Sequence, residues 1–200
     1  MIKKITEITP AEARIHAHIC GDGSLYTYLV KRSPADLRTH ARIDLYKREY
    51  VIDYTNTEPV LMGQFVRDVK AVYNRVAVMN RNTNCKFRAK WIYERLRSFG
   101  AGKSKEWFIS EEIIRLDDKI IKEWLNAFYD DEAHVDLRAG SISVNSVNPE
   151  GLKQVQTLLR RFRIENTTIF GPYFYKQFYH YRLKILGKDI ERIRVYIGFS

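Results

Sequence analysis

A chain of 200 residues with 45% hydrophobic and 13% aromatic content can bury one large core or two small ones, which excludes a disordered segment. Its formal charge of +10 suits a polyanionic partner, either nucleic acid or an anionic membrane surface. No apolar run approaches the roughly 18–20 residues that span a bilayer, the opening residues are too polar for a signal peptide, and Cys20 and Cys85 are too far apart to form a zinc-binding pair.

In chain order, the first helix starts at ITPAEARIHAHIC, with Thr9 as N-cap, Pro10 at N1 and Glu12 completing a capping box. It stops at Gly21-Asp22-Gly23. Two strand-like runs follow, 24–32 and 40–48, the second with Ala41, Ile43 and Leu45 on one face and Arg42, Asp44 and Tyr46 on the other. Pro59–Tyr73 reads as a helix, with Leu61, Phe65, Val69 and Val72 in phase. A hairpin of 73–80 and 86–93 comes next, then a short helix ended by Gly100.

The small, basic segment AGKSKE (101–106) reads as a linker, and then the pattern restarts. A helix over 116–130 ends at Asp130-Asp131-Glu132. A hairpin turns at Ala139-Gly140, a helix starts at Pro149 with Asn148 as cap, two strands cover 167–187, and a helix closes the chain. Each half is therefore αββαββα, residues 1–105 and 106–200, with Asp22 and Glu132 in the same place in each. Residues 1–105 hold 20 Lys+Arg against 10 Asp+Glu, and residues 106–200 hold 14 of each, so the whole charge excess lies in the first half.

Three acids are a poor choice for the last turn of a helix, whose dipole already places partial negative charge there. A single such turn is usually a solvated acidic turn. Two acids at equivalent positions of a repeat are a different matter. The helix ends align as IHAHICGDG (15–23) and LNAFYDDEA (125–133). This pair resembles the double signature of the single-chain LAGLIDADG homing endonucleases. Ile15 and Leu125 match the first Leu, Ala17 and Ala127 the first Gly, Asp22 and Glu132 the final acid, and Gly23 and Ala133 the final Gly. His16, His18 and Cys20 depart from the pattern in the first copy; Glu for Asp and Ala for Gly depart from it in the second. Small residues let two helices pack closely, so two helix ends converge and the gathered carboxylates need cations.

The resemblance implies an α+β fold of pseudo-symmetric tandem repeats, with two antiparallel sheets forming a DNA-binding saddle about a central two-helix interface. It implies a metal-dependent double-strand cut in a long asymmetric DNA target, by water attack on the scissile phosphates, leaving short 3′ overhangs. Two or three Mg²⁺ ions would be shared between Asp22 and Glu132, helped by the backbone carbonyls of Gly21 and Asp131. The family's basic residue at the end of the second strand would be Lys47 or Arg48. The matching Ser146-Val147 is not basic, which leaves Lys184 or a residue of the other half for that role. His16 and His18, spaced i, i+2, read as interface residues rather than metal ligands.

The polar faces of the strands are expected to meet the major groove. In the first half they carry Arg32, Arg42, Asp44, Tyr46, Arg75, Arg81, Lys86, Arg88 and Lys90, and in the second Ser141, Ser143, Asn145, Arg182 and Lys184. The ordinary reading of such faces is a solvated sheet surface. The expected partner is double-stranded DNA bound by a monomer, with no membrane role, in the cytoplasm or an organelle. A free-standing intron product is the expected genetic setting. The alternative class is a binding protein of the same fold: an RNA maturase on intron RNA, or a regulator that binds without cutting.

Overall fold

The computed structural model describes residues 7–33, 45–81 and 83–198. Helix α1 (Pro10–Cys20) leads into strands β1 (Gly23–Lys31) and β2 (Tyr46–Thr55), helix α2 (Pro59–Tyr73), strands β3 (Val78–Asn80) and β4 (Asn84–Arg88), and helix α3 (Lys90–Ser98). A short helix α4 (Glu111–Ile114) precedes α5 (Asp118–Glu132). Then come β5 (Ala133–Asp136), β6 (Ser141–Ser146), α6 (Pro149–Arg161), β7 (Thr167–Tyr175), β8 (Phe178–Leu186) and α7 (Asp189–Arg192), which continues as a π-helical turn, Ile193–Ile197. The sheets are antiparallel, ordered β1-β2-β4-β3 and β5-β6-β8-β7. The fold is thus α+β with two like halves, each a four-stranded sheet backed by helices.

Local chemistry sets the helix starts. Thr9 caps α1, its hydroxyl accepting the Glu12 N–H at 3.2 Å, and Asn148 caps α6 by accepting the Gly151 N–H at 3.0 Å. Proline at N1 opens α1, α2 and α6. The expected capping box at Glu12 is half present. The Glu12 carboxylate is buried and bound to Arg95 and to the Tyr73 hydroxyl (2.8 Å), so it ties α1 to α2 and α3. The strand expected over 86–93 stops at Arg88, and Lys90 opens α3. The strand expected over 40–48 is β2, which starts at Tyr46 and runs to Thr55.

The halves meet along α1 and α5. Ile15 and Ile19 face the first core with Ile52, Tyr54 and Phe65. The opposite side of α1, Ala13, Ala17 and Cys20, joins the second core with Trp124, Leu125, Ala127 and Phe128. Both alanines of the motif are buried, as close helix packing requires. His16 is buried at this seam and accepts the Trp124 indole N–H at 2.9 Å. Desolvation pushes its pKa down to about 3, so it is a neutral packing residue. Arg14 of α1 binds Asp68 of α2 through two nitrogens at 2.8 Å and also Glu123 of α5, joining three helices. Ala17→Leu is expected to overpack the seam and lower stability by about 1–3 kcal/mol, read as an earlier midpoint in urea unfolding.

Candidate functional site

Helix α1 gives way at Gly21, Asp22 follows, and β1 starts at Gly23. Helix α5 runs through all three acids, and β5 starts at Ala133. Both motif acids therefore sit at a helix-to-strand junction. The helix ends nearly touch: a Cβ on Gly21 would lie 3.1 Å from the Cβ of Asp131. A side chain at position 21 would press on that of Asp131, which would have to give by a few tenths of an ångström.

Asp22 lies at the rim, partly covered by its neighbours and more exposed than Asp131, whose side chain is fully buried. That carboxylate crosses to the first half. One oxygen accepts the Tyr54 hydroxyl at 2.7 Å and the Asn56 amide at 3.2 Å; the other lies 2.9 Å from Nδ1 of His18. The Asn56 amide also donates to Asp22 at 3.0 Å, and its own carbonyl accepts the Glu58 N–H at 2.8 Å. Asn56 thus bridges Asp22 and Asp131 from a fixed turn. Sequence reasoning assigned Asp131 only a backbone role and missed Asn56 and Tyr54. The Asn three residues before a helix-opening proline was the available signal, since such a residue readily fixes a turn.

The Asp22 carboxyl is pushed up to about 6, first by desolvation and then by the charge of Asp131, while His18 and Asn56 act the other way. Glu132 is pushed up to about 8 by desolvation, then by Asp22 and Asp131. The site therefore gathers more negative charge than its surroundings neutralise, a donor set that fits a hard divalent cation. Among the described residues no three His, Cys, Asp or Glu side chains are grouped to hold a metal by themselves. A cation here needs oxygens beyond the side chains, from backbone, water or phosphate.

Both carboxyls titrate higher in the folded chain than in the unfolded one, so between the two values the folded state binds more protons. Stability without metal must then fall as pH rises, for Asp22 up to about 6 and for Glu132 up to about 8. In EDTA, a drop in melting temperature of roughly 5 °C or more is expected between about pH 5 and pH 9. Millimolar Mg²⁺ is expected to reverse it at the alkaline end, and Glu132→Gln to flatten it. A melting curve independent of pH and Mg²⁺ would contradict this.

Cross-strand register defines the sheet faces. Leu25 pairs with Ile52, which pairs in turn with Phe87, all three buried toward the helices. The other face carries Ser24, Tyr26 and Tyr28, then Glu49 and Asp53, then Asn84, Lys86 and Arg88. In the second sheet it carries His134; Ser141, Ser143 and Asn145; and Arg182 and Lys184. Lys86 holds Asp53 at 3.0 Å, Arg88 donates to the Tyr28 hydroxyl at 3.0 Å, and Arg182 donates to Asn145 at 2.9 Å.

Several expected residues are displaced. Lys47 and Arg48 stand at the start of β2, opposite Val30 and Leu29, whereas the acids adjoin the Gly23–Tyr54 pair. Six residues of strand place Arg48 about 20 Å from the acids, so neither basic residue serves them. Tyr46 shares the side of Ile52 and Tyr54, not the polar face. Lys90 sits on α3, paired with Glu94. Ser141 and Ser143 are only 4% and 7% exposed, because short side chains on the central strand β6 are sunk between those of its neighbours. Arg42 and Asp44 lie outside the described residues. Arg32 follows β1, its N–H donating to Leu45. Arg75 and Arg81 are exposed on the loops flanking β3. Lys86 opposite Asp53 and Lys184 opposite Ser143 form an equivalent pair, each one residue from the strand row that adjoins an acid.

Residues 119–198 match the family model described as a LAGLIDADG-like domain. Solved structures match over nearly the whole chain. I-DmoI in complex with DNA and Mn is similar with a TM-score of 0.70 at 16% identity, covering 97% of this chain and 99% of its own. I-DmoI in complex with DNA and Ca gives 0.65 at 16% identity, covering 95% and 90%. Full-length DUF199/WhiA from Thermatoga maritima gives 0.56 at 11% identity, covering 98% of this chain and 58% of its own. No curated protein matches in sequence. The second half of the chain thus matches the model of a LAGLIDADG-like domain in sequence, and the chain along nearly its whole length has the fold of the homing endonuclease I-DmoI.

Proposed function

We propose that the chain is a site-specific, Mg²⁺-dependent DNA endonuclease of the homing type, acting as a monomer on both strands of a long asymmetric target. The observation that carries this is the pair Asp22 and Glu132 at the ends of two tightly packed helices, both held above the usual carboxylate range. Negative charge gathered there is disfavoured without a counterion, and a divalent cation would offset it. I-DmoI, similar in fold, was solved with target DNA and with divalent metal; the fold of DUF199/WhiA is also similar, so it is the acids, rather than the fold, that support cleavage.

Asp22 and Glu132, with the backbone at Gly21 and Asp131, would hold the cations. When bound, a divalent ion supplies Lewis-acid polarisation of the phosphoryl group and acidifies the water beside it. The chain's own residues do the rest. Asn56 orients the Asp22 carboxylate through its amide. Asp131, anchored by Tyr54 and His18, adds fixed negative charge that raises cation affinity. Lys86 and Lys184 face the scissile phosphates from the two sheets. The polar sheet faces lie in the major groove, where base edges carry a full donor and acceptor code, and the charge excess of the first half adds phosphate contacts that position without reading sequence. Each αββαββα half, 1–105 and 106–200, serves one side of the target. The gene sits within an intron, and the chain works wherever that intron's DNA resides.

The test is incubation of the full chain with a plasmid library of candidate insertion sequences, in Mg²⁺ or in EDTA, with the ends of linear products sequenced. One recurrent site with short 3′ overhangs, found only with Mg²⁺, is the expected result. Specific binding with no cutting would favour a binder of the same fold instead.

A further inference from the structure

The two halves differ most at their second hairpins. Strands β3 and β4 have three and five residues, whereas β7 and β8 have nine each. Strand β6 pairs with β8 only from Tyr181 onward, so the tip, residues 171–180, projects past the sheet. The tip turns at Lys176 and Gln177, both at positive φ. It exposes Tyr173, Phe174, Tyr175, Phe178 and Tyr179 by 46% to 69% each. So many large rings left in water on one hairpin mark a binding surface.

Charge and direction say what the surface meets. Residues 167–186 contain no Asp or Glu, while Lys176, His180, Arg182 and Lys184 are spaced along them. Lys105 lies 4.3 Å from the Phe178 ring centre and Lys176 lies 5.1 Å from that of Tyr175. Tyr173 pairs with His180 and Tyr175 with Phe178, on the side of the sheet that carries Arg182 and Lys184. Flat rings interleaved with cations and free of acids match stacked bases and their phosphates. We propose that the β7–β8 tip is a stacking platform for unpaired nucleotides, continuous with the duplex-binding face. The inference rests on the nucleic-acid reading of that face. Seven residues of strand separate Leu183, in the row beside the acids, from Lys176, which is about 23 Å or six to seven base steps. The platform therefore grips strands outside the cleavage centre, and it gives the less basic half a means of attachment that does not depend on net charge.

The test uses the full chain in EDTA and fluorescence anisotropy with three probes: a labelled oligothymidylate of about 20 nucleotides, a blunt duplex of equal length and random sequence, and phosphatidylcholine–phosphatidylserine vesicles. Tyr173→Ala and Tyr175→Ala are each expected to weaken oligothymidylate binding roughly 5- to 100-fold, with blunt-duplex binding within about twofold and no vesicle binding. Tyr175→Phe is expected to keep the wild-type value. Unchanged oligothymidylate binding in both alanine variants overturns the platform. So does vesicle binding, or self-association in sedimentation, that the same variants abolish. Ring-dependent binding of the oligonucleotide without any duplex binding would sink the endonuclease reading alone, so the two failures are distinguishable.

Discussion

Asp22→Asn and Glu132→Gln are each expected to lower double-strand cleavage by at least about a thousandfold, roughly 4 kcal/mol of barrier, while DNA affinity stays the same or rises. Each change removes one formal charge from the cation site and keeps the volume and hydrogen-bonding capacity of the side chain. The fold should tolerate both. Glu132 is desolvated and repelled by Asp22 and Asp131, so neutralising it relieves strain in the metal-free protein. Loss of activity with a gain in stability is the pattern expected of a functional group placed against the interest of the fold. Single-turnover cleavage of a doubly labelled target, with thermal melting of the same variants, reads both effects. Lost activity with equally lost stability would mean the acids merely hold the helix ends together.

Glu12→Ala is expected to lower stability by about 3 kcal/mol or more. The side chain is wholly buried and its charge is met by Arg95, itself only 20% exposed, and by the Tyr73 hydroxyl. Removing the carboxylate takes away the acceptor that Glu12 offers to the Arg95 guanidinium and to the buried Tyr73 hydroxyl, and it unties α1 from α2 and α3. Glu12→Gln keeps part of the hydrogen bonding and should cost less. Chemical denaturation of both variants, with Glu12→Ala/Arg95→Ala to close the cycle, measures the coupling. A loss for Glu12→Ala no larger than that of an ordinary cap substitution, about 1 kcal/mol, would reduce this residue to the capping role its sequence position suggests.

The repeat was legible because its signals are local. Proline at N1 and apolar periodicity mark α2 with its observed ends, Pro59 and Tyr73, and Gly100, at φ 104°, closes α3 as expected. What failed depended on distance. The alternation read over 40–48 stopped short of Thr55, which moved the acid-proximal end of β2 and made Lys47 and Arg48 look like neighbours of the two acids. The pairing of Asp53 with Lys86 and of Ser143 with Lys184 is a matter of register, which no single strand carries. Asp131 meets His18 across 113 residues and Asn56 across 75. Its burial arises only when the helices close on Gly21. Ser141 and Ser143 alternate as a surface face should, yet they are covered, because a central strand hides short side chains between longer ones.

The most direct test is uptake of Mn²⁺ by the full chain on a DNA duplex, followed by electron paramagnetic resonance for wild type, Asp22→Asn, Glu132→Gln and the double variant. Mn²⁺ suits the same oxygen ligands as Mg²⁺ and needs no knowledge of the target sequence. Binding by the wild type, weakened at least about tenfold in each single variant and absent in the double variant, is the predicted result. Equal uptake by wild type and double variant would contradict the claim that these two carboxylates exist to hold a cation.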